Sequence, residues 1–345
     1  MTAPDGPRDV IIVGAGPAGL AAAIAAREAG LDYEVLEKGA LVNSIFRFPR
    51  AMVFFTTAEL LEIGGLPFVT PYEKPTQAEA LKYYRRVADA FGLNVRLELE
   101  VRSVARGAGG TFLRLETRAE GGEAGTRTAR AVVLATGYYD NPNRLDVPGE
   151  DLPHVSHYYT ESHGFYRKDV VVVGGKNSAA IAALDLYRGG ARVTLVHRRE
   201  RIADSVKYWI RPDIENRIKD GAIQVRFLTR VVEIRAGSVL VERDGMAEEI
   251  PADAVLLLTG YHPDVDLFRG AGVRVDAVSC IPEHDPETLE TNVAGVYLAG
   301  AVVSGKETGR IFIENGRFHG EAVVTAIRRR LASFTTEAQR TQGTE

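Results

Sequence analysis

A single cysteine, Cys280, is all the thiol that this 345-residue chain possesses. No intramolecular disulfide, Cys-x-x-Cys redox pair or thiolate zinc site can be built from it. Such usage fits a reducing cytosol, so a cytoplasmic location is expected. Excess charge is lacking too. Lys and Arg number 42 against 46 Asp and Glu, a net of −4, which leaves no basic footprint for nucleic acid. Long apolar runs are also missing. The charge-free stretch Val10 to Ala26 contains Gly-Ala-Gly-Pro and falls short of the roughly 20 residues that span a bilayer. It lacks the basic n-region and cleavage pattern of a signal peptide, so no membrane partner is expected. The length itself exceeds one typical core, and two domains are the prior.

What the chain does have is concentrated near its start. Asp9-Val10-Ile11-Ile12-Val13 reads as a buried parallel strand, and the alanine-rich run after Leu20 reads as a helix. Between them lies G-x-G-x-x-G, with Pro17 and Ala18 as its variable pair. Gly14 makes the tight turn, Gly16 lets a pyrophosphate approach the backbone, and Gly19 lets helix and strand pack closely. The phosphates would face the unpaired N–H groups and positive dipole end of the helix. Glu37 ends the next apolar run, Tyr33 to Leu36, at about the twenty-residue distance expected of an acid that binds a ribose 2′-OH. A glycine pattern alone is a weak signal; in this strand–turn–helix–strand–acid setting it is a strong one.

The rest of the chain repeats this plan once. After Glu37, the segment Leu41 to Pro49 is irregular and aromatic-rich. Helices are expected over Thr57 to Gly64 and Thr76 to Phe91, the second opened by the capping box Thr76-Gln77-Ala78-Glu79 and stopped by Gly92. Short alternating strands follow at Asn94–Leu99, Val101–Ala105 and Phe112–Thr117, separated by turns at Gly107–Gly110 and Gly121–Gly125. The strand Arg130 to Leu134 closes the segment at Ala135-Thr136-Gly137-Tyr138. Then Asp169 to Ala179 gives a second strand, glycine turn and alanine-rich helix start, and Val193 to Val196 a second following strand. Ile223–Leu228, Val231–Arg235 and Val239–Glu242 form a second meander, and Val255 to Tyr261 ends in the same Thr-Gly-Tyr turn. One repetition is a duplicated layout rather than a solenoid. The first theme resumes with a strand at Gly295–Gly300 and a long helix over Arg310–Leu331. The expected architecture is α/β, with two Rossmann-like dinucleotide-binding domains, one inserted into the other. Residues 1–149 and 262–332 form the outer domain, 150–261 the insert, and 333–345 a polar, frayed tail. Breakers at Pro148-Gly149 and Gly260 to Pro263 mark the crossings, a spacing suited to a hinge.

The two glycine turns differ in the residue that ends the second strand. Glu37 suits an unphosphorylated ribose and repels a 2′-phosphate, so the first turn is read as the FAD site. At the second turn no acid follows; His197-Arg198-Arg199 stands there instead, with Arg201 close behind, and welcomes a 2′-phosphate. That turn is read as the NADPH site. Lys176 occupies the place of its second glycine, where the side chain must point away from the pyrophosphate or set its ammonium beside it.

These residues together resemble the two-dinucleotide-binding flavoproteins, in the branch that includes thioredoxin reductase. The chain resembles more closely the bacillithiol-disulfide reductases of the YpdA type. The resemblance rests on Leu36-Glu37-Lys38-Gly39, Leu41 to Ile45, Glu59 to Gly64, Leu81 to Arg86, Thr136 to Pro142, His154 to Tyr159, Gly174 to Ala179, Ser205 to Ile210 and the block Lys306 to Gly320. It implies FAD, NADPH and a low-molecular-weight thiol disulfide such as bacillithiol disulfide, or a small redox protein, as acceptor. It also suggests a homo-oligomer. By this resemblance FAD meets Gly14, Gly16, Pro17, Ala18, Gly19, Glu37, Lys38, Asn43, Ser44, Val101, Ala135, Thr136, Gly137, Gly300, Ala301, Ile311, Phe312 and Ile313. NADPH meets Gly174, Gly175, Lys176, Asn177, Ser178, Ala179, His197, Arg198, Arg199 and Gly260. Lys176 is normal for this family.

The departures are as informative. Thioredoxin reductases carry Cys-x-x-Cys near or within the inserted domain, whereas Tyr158 to Arg167 has no cysteine. YpdA-type proteins commonly have cysteine in the first glycine turn, where this chain has Ala18. Ala301 stands where the wider superfamily often has an aspartate. The reaction is therefore expected to be centred on the flavin, with no catalytic side chain assigned. The amino end of the Arg310–Leu331 helix is expected beside the flavin pyrimidine, where its dipole favours a negative charge. Three classes fit: a bacillithiol-disulfide reductase, a ferredoxin or flavodoxin reductase, and a flavin monooxygenase. His154, His157 and His163, with Tyr158, Tyr159 and Tyr166, lack the partners of a metal site and read as hinge packing or a substrate surface. No metal is expected. Cys280, outside both glycine turns, reads as structural.

Overall fold

The β-branched run Val10 to Val13 forms the centre of a parallel sheet in the computed structural model, which describes residues 6–107 and 110–342, with side chains to 333. This strand, β1 (Arg8–Val13), leads into α1 (Pro17–Glu28) and β2 (Tyr33–Leu36), which lies parallel to it. Pro17 stands at the first helical position, where a missing N–H costs nothing. The small side chains of Ala22, Ala23 and Ala26, all fully buried, let α1 lie close on its neighbours. A short α2 (Asn43–Phe46) and a 3-10 turn at Ala58–Leu61 follow. The expected helix over Thr57–Gly64 is only that turn, because Glu62 is already extended and two left-handed glycines, Gly64 and Gly65, follow it. α3 (Gln77–Ala90) opens with the expected capping box: Glu79 N donates to Thr76 Oγ1 at 3.3 Å and Thr76 N to Glu79 Oε2 at 2.8 Å.

β3 (Val95–Arg96) is parallel to β2, not part of a hairpin as the alternation over Asn94–Leu99 suggested. The antiparallel piece is β4 (Leu99–Arg106), β5 (Leu113–Ala119) and β6 (Ala124–Leu134). β6 joins the antiparallel and parallel parts of one sheet: residues 124–129 pair with β5, and 129–134 run parallel to β1. Of the Gly107–Gly110 turn, 108–109 lie outside the described residues.

The inserted segment builds its own parallel sheet from β7 (Val155–Ser156), β8 (Asp169–Val173), α4 (Asn177–Arg188), β9 (Arg192–His197), α5 (Arg211–Lys219) and β10 (Gln224–Phe227). A three-stranded antiparallel ribbon, β11 (Arg230–Arg235), β12 (Ser238–Arg243) and β13 (Met246–Pro251), precedes the last strand, β14 (Ala254–Leu257). The sheet order is β10-β9-β8-β14-β7. Two expectations change here. Ile223–Leu228 is no member of the meander but the edge strand β10 beside β9, and the meander's third strand is β13, which charge and exposure hid from the apolar pattern. Val171, Val173, Val255 and Leu257 of the sheet pack with Val231, Ile234, Val239, Val241 and Ile250 of the ribbon into one core.

The chain then returns through α6 (Val265–Gly270) to β15 (Val296–Leu298), parallel to β6, completing a sheet ordered β3-β2-β1-β6-β5-β4 with β15 on β6. The Arg310–Leu331 helix is in fact two: a single turn α7 (Ile313–Gly316) and the long α8 (His319–Gln342). The break has a cause. Gly316 abuts Gly300, and the Arg317 guanidinium reaches back to Glu59 O and Glu62 O at 2.9 and 2.7 Å. α8 also outruns the frayed tail expected from Ser333; 343–345 lie outside the described residues.

Two compact units result, one of residues up to 46, 52–141 and from 261 on, the other of 47–51 and 142–260. Pro148-Gly149 falls inside the second unit. Ile234 N donates to Pro148 O at 2.8 Å, and a Cβ on Gly149 would meet Ile234 O at 1.9 Å, so this breaker marks close packing. The segment 47–51 joins the second unit through Arg50 N, which donates to Thr160 O, and Arg47, whose guanidinium lies 4.1 Å from the Tyr158 ring centroid.

Candidate functional site

The three glycines of the first turn do different work. Gly14 sits at φ +105°, and a Cβ there would meet Ala135 O at 2.5 Å; on Gly19 it would meet Gly14 O at 2.0 Å. Both are positions of close packing. At Gly16 a Cβ would meet nothing within 4 Å, so the turn is open on the side facing away from the protein. Gly16 also precedes α1 without any side-chain cap, which leaves the first N–H groups of the helix for an anion.

Glu37 closes the turn from the side. Its Oε2 accepts from Ala15 N at 2.8 Å and its Oε1 from Gly39 N at 2.9 Å. Burial pushes this carboxyl above its ordinary range, against the opposing pull of those two N–H groups. Each oxygen keeps a lone pair for a hydroxyl. Val42 N donates to Ala15 O at 3.1 Å, so the loop after Glu37 folds back on the turn; Val42 itself is buried at φ +48°, a strained place for a β-branched residue. Lys38 pairs with Asp140 at 3.1 Å, a partner that sequence reasoning missed because a hundred residues separate the two. A cleft of about 640 Å³ begins here, lined by Lys38, Asn43, Phe46, Leu97 and Glu98 among others. Ser44 lies beside it on α2. Val101 points its side chain into the core, so any role falls to its backbone, at the bulge where β4 shifts register.

Ala135-Thr136-Gly137 follows β6 beneath the same turn, with Ala135 N donating to Val13 O. Thr136 Oγ1 is buried with no hydrogen-bond partner among the described residues. That orphaned hydroxyl, the open Gly16 and the uncapped helix fit a bound dinucleotide. On the far side, Gly300 is left-handed (φ +77°) and meets Ala18: a Cβ on Gly300 would lie 2.7 Å from Ala18 Cβ. Ala301, Ile311 and Ile313 are half-buried and Phe312 is exposed, its N–H held by Asn315 Oδ1 at 2.8 Å. The helix starting at Ile313 is one turn long, so the sizeable dipole expected near Arg310 is absent from that place.

The second turn has the same geometry with different chemistry. Gly174 (φ +152°) packs on Leu258 O as Gly14 does on Ala135 O, and Ala179 takes the place of the third glycine. The His197 ring lies where a Cβ on Gly175 would fall, 2.3 Å from its Cε1, and its buried Nε2 has no partner among the described residues. Burial, then the charges of Arg198 and Arg199, push the imidazole below its ordinary value. Arg198 and Arg199 are exposed and make no ion pair with a described residue, while Arg201 pairs with Asp204. Lys176 precedes α4 with its side chain exposed, and Ser178 is exposed beside it. Asn177 is engaged elsewhere: its Nδ2 donates to Ser205 O at 3.1 Å and its Oδ1 accepts from Lys207 N at 2.9 Å, tying the 205–207 loop to the turn. Gly260 (φ +93°) accepts Asn143 N at its carbonyl.

The remaining candidates divide between the interior and the surface, with His163 and Tyr166 exposed. His157 Nε2 lies 3.3 Å from the buried Glu150, Tyr159 donates to Asp185, and Cys280 is buried. Among the described residues no group of three or more His, Cys, Asp or Glu could hold a metal ion, and no helix is long and apolar enough to cross a membrane.

Comparison with known proteins agrees with this geometry. The chain is 44% identical to the bacilliredoxin reductase Bdr of Bacillus subtilis over 93% of its length and 97% of that protein. Among solved structures, the bacillithiol disulfide reductase Bdr (YpdA) of Bacillus cereus superposes with a TM-score of 0.92 at 41% identity, over 94% of this chain and all of that one. The Staphylococcus aureus counterpart does so with 0.88 at 36% identity, over 94% of this chain and 99% of that one. The model of the pyridine nucleotide-disulphide oxidoreductases, a family of flavin and nicotinamide enzymes, matches residues 11–300. The chain belongs to the pyridine nucleotide-disulphide oxidoreductase family.

Proposed function

We propose that this protein is an FAD-dependent NADPH oxidoreductase that delivers two electrons to a low-molecular-weight disulfide of the bacillithiol type. The observation that carries the reading is the contrast between the two turns: a buried Glu37 at the first, and at the second His197 with Arg198 and Arg199, which are exposed and make no ion pair among the described residues. A carboxylate held against the turn accepts ribose hydroxyls and repels a 2′-phosphate; two exposed guanidiniums attract one. The relatives named for bacillithiol disulfide supply the substrate class. The balance is NADPH + H⁺ + RSSR giving NADP⁺ + 2 RSH.

When bound, the flavin supplies hydride acceptance and two-electron transfer. This chain's own residues bind and orient. Gly16 and the amino end of α1 receive the pyrophosphate, Glu37 fixes the ribose, Thr136 Oγ1 offers a hydrogen bond, and Arg198 and Arg199 select the nicotinamide donor. No thiol of the protein relays electrons, since Ala18 stands in the turn and Cys280 is buried. That same absence favours a second reading, transfer to a ferredoxin or flavodoxin, which needs no thiol. Anaerobic stopped-flow spectroscopy separates them. NADPH should bleach the bound flavin faster than NADH, and bacillithiol disulfide should restore its colour. Equal rates with both donors would sink the 2′-phosphate argument, and reoxidation by ferredoxin or flavodoxin alone would make the second reading correct.

A further inference from the structure

At the junction of α1, the 300–304 turn, α7 and α8 the backbones touch through small residues. A Cβ on Gly300 would meet Ala18, one on Gly316 would lie 3.3 Å from Gly300 Cα, and one on Gly320 would lie 2.6 Å from Ala22 N. In this packed place the Gly300 N–H donates to His319 Nδ1 at 3.1 Å. The bond requires the neutral ring with its proton on Nε2. Ala301 follows Gly300, and its methyl offers no hydrogen bond, so the turn has no side-chain anchor of its own at that position.

We propose that His319 is a positioning residue for the first nucleotide site, holding Gly300 and the turn after it against α1 in the conformation that receives the flavin, and that protonating His319 releases this hold. The inference rests on the reading of the first turn as the FAD site. Protonated Nδ1 is a donor facing a donor, and Gly300 cannot shift toward Ala18 or Gly316 to escape it. Burial and the neighbouring His284 both disfavour the charged ring, so the hold is intact at neutral pH and fails below the ordinary histidine range. The turn 300–304 and the α1 face at Ala21 and Ala22 carry no ionisable side chain; segment 282–291 brings His284, while Glu314 on α7 and Glu321 on α8 lie on the adjoining helices.

The test compares flavin retention from pH 8 to 5 in the wild-type holoprotein, His319→Asn and His319→Phe, by fluorescence of released flavin. Asn places Oδ1 as many bonds from Cα as Nδ1, so it keeps the acceptor and does not titrate. Wild type should release flavin as pH falls below about 6.5, with His319→Asn lacking that step. His319→Phe should bind about 2- to 12-fold more weakly at every pH, the loss of one hydrogen bond. An acid step of full size in His319→Asn overturns the inference while the FAD reading stands, and it does so even where His319→Phe fails to fold. Wild type that binds no flavin at pH 7.5 overturns both.

Discussion

Ala15 donates its backbone N–H to Glu37 Oε2 at 2.8 Å, so the glycine turn and the end of the second strand are held as one piece before any ligand arrives. Glu37→Gln keeps one acceptor but sets an NH₂ group against a backbone N–H. It should destabilise the flavin-free protein by about 1–3 kcal/mol near pH 4.5, the cost of one buried donor left unpaired. The pH dependence has a definite sign. Burial raises the folded carboxyl above its ordinary 4.5, so the folded state binds the proton more tightly than the unfolded one. Its contribution is full below 4.5 and is lost as pH rises through the folded value. The wild-type advantage over Glu37→Gln should therefore shrink as pH climbs above 4.5, read by urea unfolding at a series of pH values. An advantage that grows with pH would show the carboxylate to be stabilised by its N–H partners.

Gly16 and Gly19 should separate binding from folding. Gly19→Ala drives a methyl to within 2.0 Å of Gly14 O, backbone that cannot yield, and should destabilise the fold by about 3 kcal/mol or more. Gly16→Val meets no protein atom near its Cβ. It should unfold as wild type does, yet bind flavin more weakly by about 1–3 kcal/mol of overpacking, roughly 5- to 150-fold. Thermal unfolding of the apoproteins and flavin titration give the two readouts.

That division was legible in the sequence, because the strand–glycine–helix pattern fixes backbone geometry locally. What it hid was partnership across the chain. Gln224–Phe227 and Val95–Arg96 have the alternation of hairpin strands yet lie parallel at sheet edges, since period alone does not name a neighbour. Met246–Pro251 escaped notice because its side chains are mostly exposed, Glu248 and Glu249 among them, with Ile250 the one turned to the core. The break before His319 depends on Arg317 meeting carbonyls some 255 residues away, and Asn177, well placed by spacing for a cofactor, is committed to the 205–207 loop. Backbone geometry set by the glycine turn was readable; partnerships set by long-range contact were not.

Arg198 and Arg199 should carry the choice of nicotinamide donor. Each guanidinium is exposed and without an ion-pair partner among the described residues, so replacing both by alanine leaves no buried charge behind and should hardly change stability. A charge-assisted hydrogen bond is worth about 1.5–3 kcal/mol, roughly 10- to 150-fold for each lost contact to a 2′-phosphate. KM for NADPH should rise by that order while KM for NADH stays within about twofold. A parallel rise for both donors would place these arginines on the pyrophosphate or on general electrostatic attraction.

On the proposed function, the residue at position 18 should decide how the electrons leave. It lies in the first turn of α1 against Gly300, and Cys280 is buried at φ +56° in a different part of the chain. Wild type therefore has no accessible thiol with which to capture half of a disulfide. Incubated with bacillithiol disulfide, it should gain no mass while still consuming NADPH. Ala18→Cys should acquire one thiol adduct, removed by a reductant, because a half-buried cysteine at a helix amino end has its thiolate favoured. Where disulfide turnover appears in Ala18→Cys and not in wild type, the thiol is indispensable to disulfide chemistry, and the native acceptor must be one that takes electrons directly, such as a ferredoxin or flavodoxin. Where both turn over, transfer from flavin to disulfide runs without a mixed disulfide on the protein, and the adduct on the variant is a side path.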